Sequence, residues 1–416
     1  MIDDPRREVP RIRAYVHTNH KAVENGAKPK RKPDIYKIPR SMWARVEAAR
    51  DARRQVERQL GGKYPVWVTT DNNGEKKVVV EQFDDGSLSS ADIQSLDEQV
   101  PAKVNGVAGR QSRFGKKSRY AQKREIPVDI ERPRKEVSKN GPTIISPDER
   151  KTRIQSEWDG TIEIDANHYL SEYDEVPGGA AMSVVGFKQD GSGTVGLLTG
   201  TTGTPANHNG SKVLITAGHN TGDIERNSID IAADGVWVDE KISYKISNGM
   251  VSDWENEDLS IGERVVEEWC DDNDRWTDAL DAGILHSKDA EISQGLADDN
   301  GGYRIGVWGG LSRQRLYDLQ DVGSDAALYK QGATTGHDSC YISDVNDHSF
   351  KYNLDGGNST ENGDSGGPIY EESTISIFGW EIEVALIGGL HKGTVRGWYD
   401  IATGISAIED KFGVTV

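Results

Sequence analysis

The apolar positions fall into two textures. Before about residue 155 they are sparse, and two stretches carry a clear period. After Pro39, the residues Met42, Val46, Val56 and Leu60 recur near the 3.6-residue period of a helix. Ser41 stands where an N-cap belongs and Gly61-Gly62 ends the run, which predicts a helix over residues 41–60. Then Val66-Trp67-Val68 and Val78-Val79-Val80 flank Asn72-Asn73-Gly74, the chemistry of a hairpin turn. From about Gly178 the texture becomes short β-like runs split by Gly, Asp and Asn. Thr194-Val195-Gly196-Leu197-Leu198, Val213-Leu214-Ile215-Thr216 and Val384-Ala385-Leu386-Ile387 are examples. Such spacing predicts an all-β barrel or sandwich. Ile405, Ile408 and Phe412 mark the apolar face of one closing helix.

Charge follows the same division. Residues 1–155 hold 34 Lys+Arg against 22 Asp+Glu, a net of +12, whereas residues 156–416 hold 16 against 46, a net of -30. Two parts with different tasks are expected. A net of -30 repels itself unless salt screens it, the Debye length being about 3 Å at 1 M. The acidic part therefore resembles proteins of salt-loving microbes. Residues 110–134, rich in Lys, Arg and Pro, read as an exposed linker or arm. No apolar run reaches the 18 or so residues of a membrane span. Two cysteines, Cys270 and Cys340, exclude a disulfide-rich scaffold. They could pair or be two buried thiols, and neither lies in a C-x-x-C, so no zinc site is expected.

The chemistry concentrates near residue 365. A serine nucleophile needs a histidine base, a buried carboxylate that orients the base, and N–H donors aimed at the oxyanion. Asn362-Gly363-Asp364-Ser365-Gly366-Gly367-Pro368 supplies a serine between glycines, with the N–H groups of Gly363 and Ser365 as oxyanion donors. His219, at the end of the apolar run Val213–Thr216 after Ala217-Gly218, is the candidate base. Asp281, heading Ala282-Gly283-Ile284-Leu285, is favoured as the orienting acid over Asp278.

These motifs resemble those of the chymotrypsin-like (trypsin-like) serine peptidases. Thr216-Ala217-Gly218-His219 is similar to that family's T-A-[AG]-H, with Asn220 where many members carry cysteine, and Gly363–Pro368 matches its nucleophile motif throughout. Gly193-Thr194-Val195-Gly196 and the segment from Tyr329 to Gly336 resemble two further family pieces, the second in microbial members. The resemblance covers residues 176–416. It implies two six-stranded antiparallel β-barrels with a C-terminal helix, beside a basic α+β region over residues 1–155. It also implies a serine endopeptidase that hydrolyses protein or peptide substrates through an acyl-enzyme, with no cofactor and no metal. The chain order His219, Asp281, Ser365 is that of this family. The α/β-hydrolase order fails, because His391 is the sole histidine after Ser365 and both later aspartates follow it. A subtilisin-like parallel sheet would need long helices that the pattern lacks.

The resemblance also implies the specificity pocket. Ser359, six residues before Ser365, stands where trypsin-like members carry aspartate, so a basic preference is unsupported. The segment containing His391, Lys392 and Gly393 aligns with the strand that pairs with substrate backbone. A histidine there resembles the glutamate-specific members and points to an acidic preference, against the plainer reading of a surface His-Lys pair. Asp271-Asp272-Asn273-Asp274 lacks the spacing of a calcium loop. The basic region is expected to be a propeptide or regulatory domain facing the acidic domain. Nucleic acid is a lesser expectation, because aromatic residues are not interleaved with the basic ones. Family members are usually exported, yet the first residues lack the apolar core of a secretory signal. Either the true start lies upstream or the enzyme works inside the cell. An inactive homologue that binds rather than cleaves is the remaining alternative.

Overall fold

The structure is a computed structural model. It describes residues 8–24, 27–71, 73–82, 89–108, 122–132, 137–138, 141–142, 152–154, 160–165, 175–188, 195–221, 231–237, 241–247, 250–251, 259–266, 280–288, 290–298, 303–355, 360–361, 363–377, 380–395 and 399–416. Asp278, Cys270, Ser359, Asn362, the acidic run 271–274 and most of the arm 110–134 lie outside them.

The first described strand of the basic region, Glu8–His17, pairs antiparallel with Arg31–Pro39. The helix that follows is Arg40–Gln59, one residue earlier than the sequence signals placed it. Pro39, not Ser41, is its N-cap, and no side chain caps it. The proline's fixed φ lets the chain pass directly from extended strand into helix. Ala48, Ala52, Val56 and Leu60 bury one helix face against Val66, Val78, Val80, Ile126 and Val128. The expected hairpin is present as Val66–Thr70 against Lys76–Glu81. Asp71 closes its turn by accepting the N–H groups of Asn73 and Glu75, the local bonding that makes aspartate a turn residue.

This region is continuous with the acidic half. Val66–Thr70 pairs with Gly336–Val345, and Glu8–His17 pairs with Tyr303–Leu311. Side chains reinforce the seam. Arg11 grips Asp318 through Nε and Nη2, both at 2.9 Å, and Arg53 reaches Asp347 at 2.7 Å. Lys351 and Glu81 form an ion pair in which each side chain is almost fully buried. Trp67 Nε1 and the Tyr399 hydroxyl both donate to the Glu81 carboxylate, each at 2.9 Å.

Six strands close a barrel in the C-terminal half. Trp380–Val395 pairs with Pro368–Ile377, which pairs with Leu328–Gly332 and thence with Gly336–Val345. Ser349–Leu354 and Tyr399–Gly404 complete the circuit back to Trp380–Val395. Closure pairs each of the six strands with two others of the circuit, so none of the six is an edge strand. Leu328, Cys340, Ile342, Phe350, Tyr352, Ile369, Leu386 and Ala402 are buried together within its core. Cys340 is a buried free thiol. The closing helix Ile405–Phe412 buries Ile405 and Ile408 and ends at Gly413, whose φ of 69° forms a left-handed cap.

The histidine-bearing half is an eight-stranded antiparallel sheet. Its strand order is Thr204–His208, Ser211–Thr216, Asp281–Ser287, Leu259–Val266, Ile231–Trp237, Ala181–Lys188, Val195–Thr201, Thr152–Ile154. Among the described residues its end strands do not pair, so one barrel is closed where two six-stranded barrels were expected. No helix among the described residues is long and apolar enough to cross a membrane.

Candidate active site

His219 sits in the 3-10 turn Gly218–Thr221, which follows directly from strand Ser211–Thr216. That strand pairs with Asp281–Ser287 in a register that sets Thr216 opposite Gly283. The pairing brings the head of one strand beside the end of the other. Asp281 then holds His219 at two points. Its Oδ1 accepts the His219 backbone N–H at 3.0 Å, and its Oδ2 lies 2.5 Å from Nδ1. His219 and Asp281 are 1% and 2% exposed, so this contact is shielded from solvent screening. The arrangement fixes the imidazole plane and makes Nδ1 the protonated nitrogen, leaving Nε2 as the basic one.

Ser365 lies in the tight turn between Glu361 and Pro368 and is fully buried. Gly363 and Gly366 have φ values of 103° and 91°, backbone conformations that favour glycine. A Cβ on Gly366 would lie 2.2 Å from Thr216 Oγ1, so the nucleophile turn abuts the histidine strand. The Asp364 carbonyl accepts the Gly367 N–H at 2.8 Å. The Ser365 N–H of that same trans peptide is thereby directed away from the turn. Ser365 Oγ has no hydrogen-bond partner among the described residues.

Two buried side chains hold this turn from outside the expected site. Asp364 accepts Lys330 Nζ and Thr335 Oγ1, both at 2.7 Å, together with the N–H groups of Thr334, Thr335 and Glu361, each at 3.0 Å. Burial alone would raise the Asp364 carboxyl. Lys330 and these donors outweigh it and hold the group down at about 2. Thr201 donates its hydroxyl to the Gly363 carbonyl at 2.8 Å and its N–H to the Ser365 carbonyl at 2.8 Å. Neither Lys330 nor Thr201 stands out in the sequence. Lys330 lies within a segment quoted for resemblance alone, and a threonine at a strand end carries no signal in isolation.

The expected pocket residues are only partly described. His391 and Gly393 lie on strand Trp380–Val395, directly beside the nucleophile turn. Gly366 N–H donates to the His391 carbonyl and His391 N–H to the Gly367 carbonyl, both at 2.8 Å. The His391 ring is fully buried, with Nδ1 2.8 Å from the Tyr352 hydroxyl. Lys392 is also fully buried and donates to Ser349 Oγ at 3.1 Å. A surface His-Lys pair is thus ruled out. Asp400, 4% exposed, accepts the hydroxyls of Thr360 and Thr394, each at 2.6 Å. Among the described residues no cluster of three or more His, Cys, Asp or Glu could hold a metal ion.

No protein-family model and no curated protein matches the chain. Among solved structures it is similar to a glutamic acid-specific serine protease that uses a histidine triad in substrate binding. Identity there is 18% and the TM-score 0.34, over 58% of this chain and all of the other. It is also similar to Thermobifida fusca protease A, at 14% identity and a TM-score of 0.32, over 58% of this chain and 97% of the other. Likeness this slight assigns no function, and the case for one rests on the side chains themselves.

Proposed function

We propose that the chain is a serine endopeptidase working through an acyl-enzyme. Ser365 Oγ attacks the scissile carbonyl while His219 Nε2 takes its proton, and His219 then returns that proton to the leaving amine. Asp281 keeps the imidazole in the right tautomer and stabilises the imidazolium. The N–H groups of Gly363 and Ser365 receive the oxyanion. Water then attacks the ester by the same route and releases the acid. The observation that carries this reading is the two-point hold of Asp281 on a buried His219. Nucleophile–base hydrogen bonds are often long before substrate binds, which accommodates the unpartnered Ser365 hydroxyl.

His391 beside the nucleophile turn supports a preference for acidic side chains at the cleavage site. Asp400, bonded to the neighbour of Ser359, favours a second reading in which a basic side chain is accepted. A peptide library separates the two. The basic region over residues 1–155 is proposed to remain on the peptidase domain, residues 176–416, as a regulatory part, supported by the buried Lys351–Glu81 and Arg11–Asp318 pairs.

A fluorophosphonate probe tests the core of the proposal. In molar salt the intact chain is expected to be labelled, and Ser365→Ala and His219→Ala each to abolish labelling. An unlabelled wild type would leave a binding module as the better reading.

A further inference from the structure

Asn220 follows the candidate base directly and is 3% exposed. Its Nδ2 donates to the Ser365 carbonyl at 2.6 Å and to Thr216 Oγ1 at 3.2 Å. Thr216 Oγ1 in turn donates to the Thr201 carbonyl at 2.6 Å. The Thr201 N–H returns to the Ser365 carbonyl at 2.8 Å. These bonds form a closed buried circuit that joins the histidine turn, the end of strand Val195–Thr201 and the nucleophile turn. Room for it comes from Gly200. A Cβ there would lie 2.5 Å from Asn220 Nδ2 and 2.7 Å from its Cγ.

The Ser365–Gly366 peptide is consequently held at both ends. Its carbonyl takes two donors, and its N–H donates to the His391 carbonyl at 2.8 Å. The preceding peptide is held through the Asp364 carbonyl, which accepts the Gly367 N–H at 2.8 Å, so holding both peptides restricts the rotation of Ser365 between them, and with it the position of Cβ and the arc that Oγ can sweep. The donor comes from the residue next to His219, so the same bond sets nucleophile and base relative to each other. We propose that Asn220 is a positioning residue for the acyl-transfer reaction, clamping the Ser365 carbonyl to the histidine turn. This rests on the endopeptidase reading given above. A buried amide with two acceptors in one network is costly to leave half-satisfied. A misplacement of about 1 Å at a reacting centre can cost about a hundredfold in rate.

The test uses Asn220→Ala and Asn220→Ser in the full chain. Active sites are titrated with a fluorophosphonate, and kcat and KM are measured per titrated site. Positioning predicts that kcat per titrated site falls about ten- to a hundredfold with KM within about threefold. It also predicts less loss in Asn220→Ser, whose hydroxyl retains a donor. A merely structural role predicts fewer titratable sites and a lower melting midpoint, with unchanged kcat per site, and that result overturns the proposal. Hydrogen exchange gives a readout independent of activity. In Asn220→Ala the amides of Gly366 and Gly367 should exchange faster than in wild type, and unchanged exchange also overturns the clamp. If wild type is not labelled at all, the endopeptidase reading fails, and exchange alone then decides whether Asn220 holds the turn.

Discussion

Lys330 and Asp364 form an ion pair with 2.7 Å between Nζ and Oδ2, and neither side chain is exposed to solvent. Asp364 immediately precedes the candidate nucleophile, so the pair holds the turn one residue before the carbonyl that Asn220 grips. Removing one partner of a buried pair leaves an uncompensated charge, which typically costs about 3–5 kcal/mol. Lys330→Met should therefore destabilise the chain by that amount in denaturant unfolding and slow fluorophosphonate labelling. A loss below about 1 kcal/mol with unchanged labelling would show that the pair does not hold the turn. Because the Asp364 carboxyl is lowered, its contribution is complete above the ordinary carboxylate range. It fades as pH falls from about 4 towards 2.

A second pH dependence lies near the other end of the chain. His17 is almost fully buried, and His20 stacks on Trp308 with ring centroids 3.8 Å apart. Burial lowers both histidines to about 4, helped for His17 by the charges of His20 and Arg31 and for His20 by Lys212. The unfolded chain binds protons at both sites below about 6.5, the folded chain only near 4. Their contribution is thus whole above pH 6.5 and is lost as pH falls to 4. The slope is at most about 2.7 kcal/mol per pH unit if both titrate together. Melting midpoints from pH 7 to 4.5 should fall more steeply for wild type than for the double variant His17→Gln/His20→Gln. Parallel curves would show that neither histidine drives the loss.

The seam between the basic region and the barrel should behave as part of one folding unit. Glu81 receives Lys351, Trp67 and Tyr399 at once, and Lys351 Nζ sits 4.0 Å from the centroid of the Tyr399 ring. Glu81→Ala should cost about 3–5 kcal/mol, since the buried Lys351 ammonium then keeps only the longer contact to Asp344, at 3.5 Å. Calorimetry should still show a single transition, lowered as a whole. Two separated transitions would mean that the regions unfold independently. Deleting residues 1–150 should likewise abolish soluble folding, and a folded, active product would place the basic region outside the fold.

Much of this arrangement was legible in the chain. The short strands, the hairpin at Asn73-Gly74 and the helix carrying Ile405 and Ile408 follow from period and turn chemistry. Those signals are local, and the residues themselves supply them. The seam was not legible. Val66–Thr70 reads as an ordinary strand, and nothing in it specifies that Val68 will pair with Val345. Arg11–Asp318 joins a cation of the basic region to an anion of the acidic half, whereas Lys351–Glu81 runs the other way, so net charge does not specify the pairs. At the candidate site His219, Asp281 and Ser365 stand out because each has a small residue, Gly218, Ala282 or Gly366, directly beside it. Lys330, Thr201 and Asn220 do not, because a buried lysine, threonine or asparagine is defined by what it meets across the fold. Asn220 was visible only as a departure from the pattern it resembles.

Asp281 offers the sharpest test of the chemistry. Asp281→Asn preserves shape and can still accept the His219 backbone N–H. It also presents an amide N–H or a neutral oxygen to Nδ1 where a carboxylate stood. The imidazole then loses both the charge that stabilises its protonated form and the partner that fixes its tautomer. In a triad this typically lowers kcat by about 10^4 without unfolding the protein. The variant should accordingly melt close to wild type, and its kcat/KM on a peptide substrate should fall by about that factor. Activity should recover partly at high pH, where hydroxide can deprotonate Ser365 without the base. A loss smaller than about tenfold would remove Asp281 from the orienting role and return attention to Asp278.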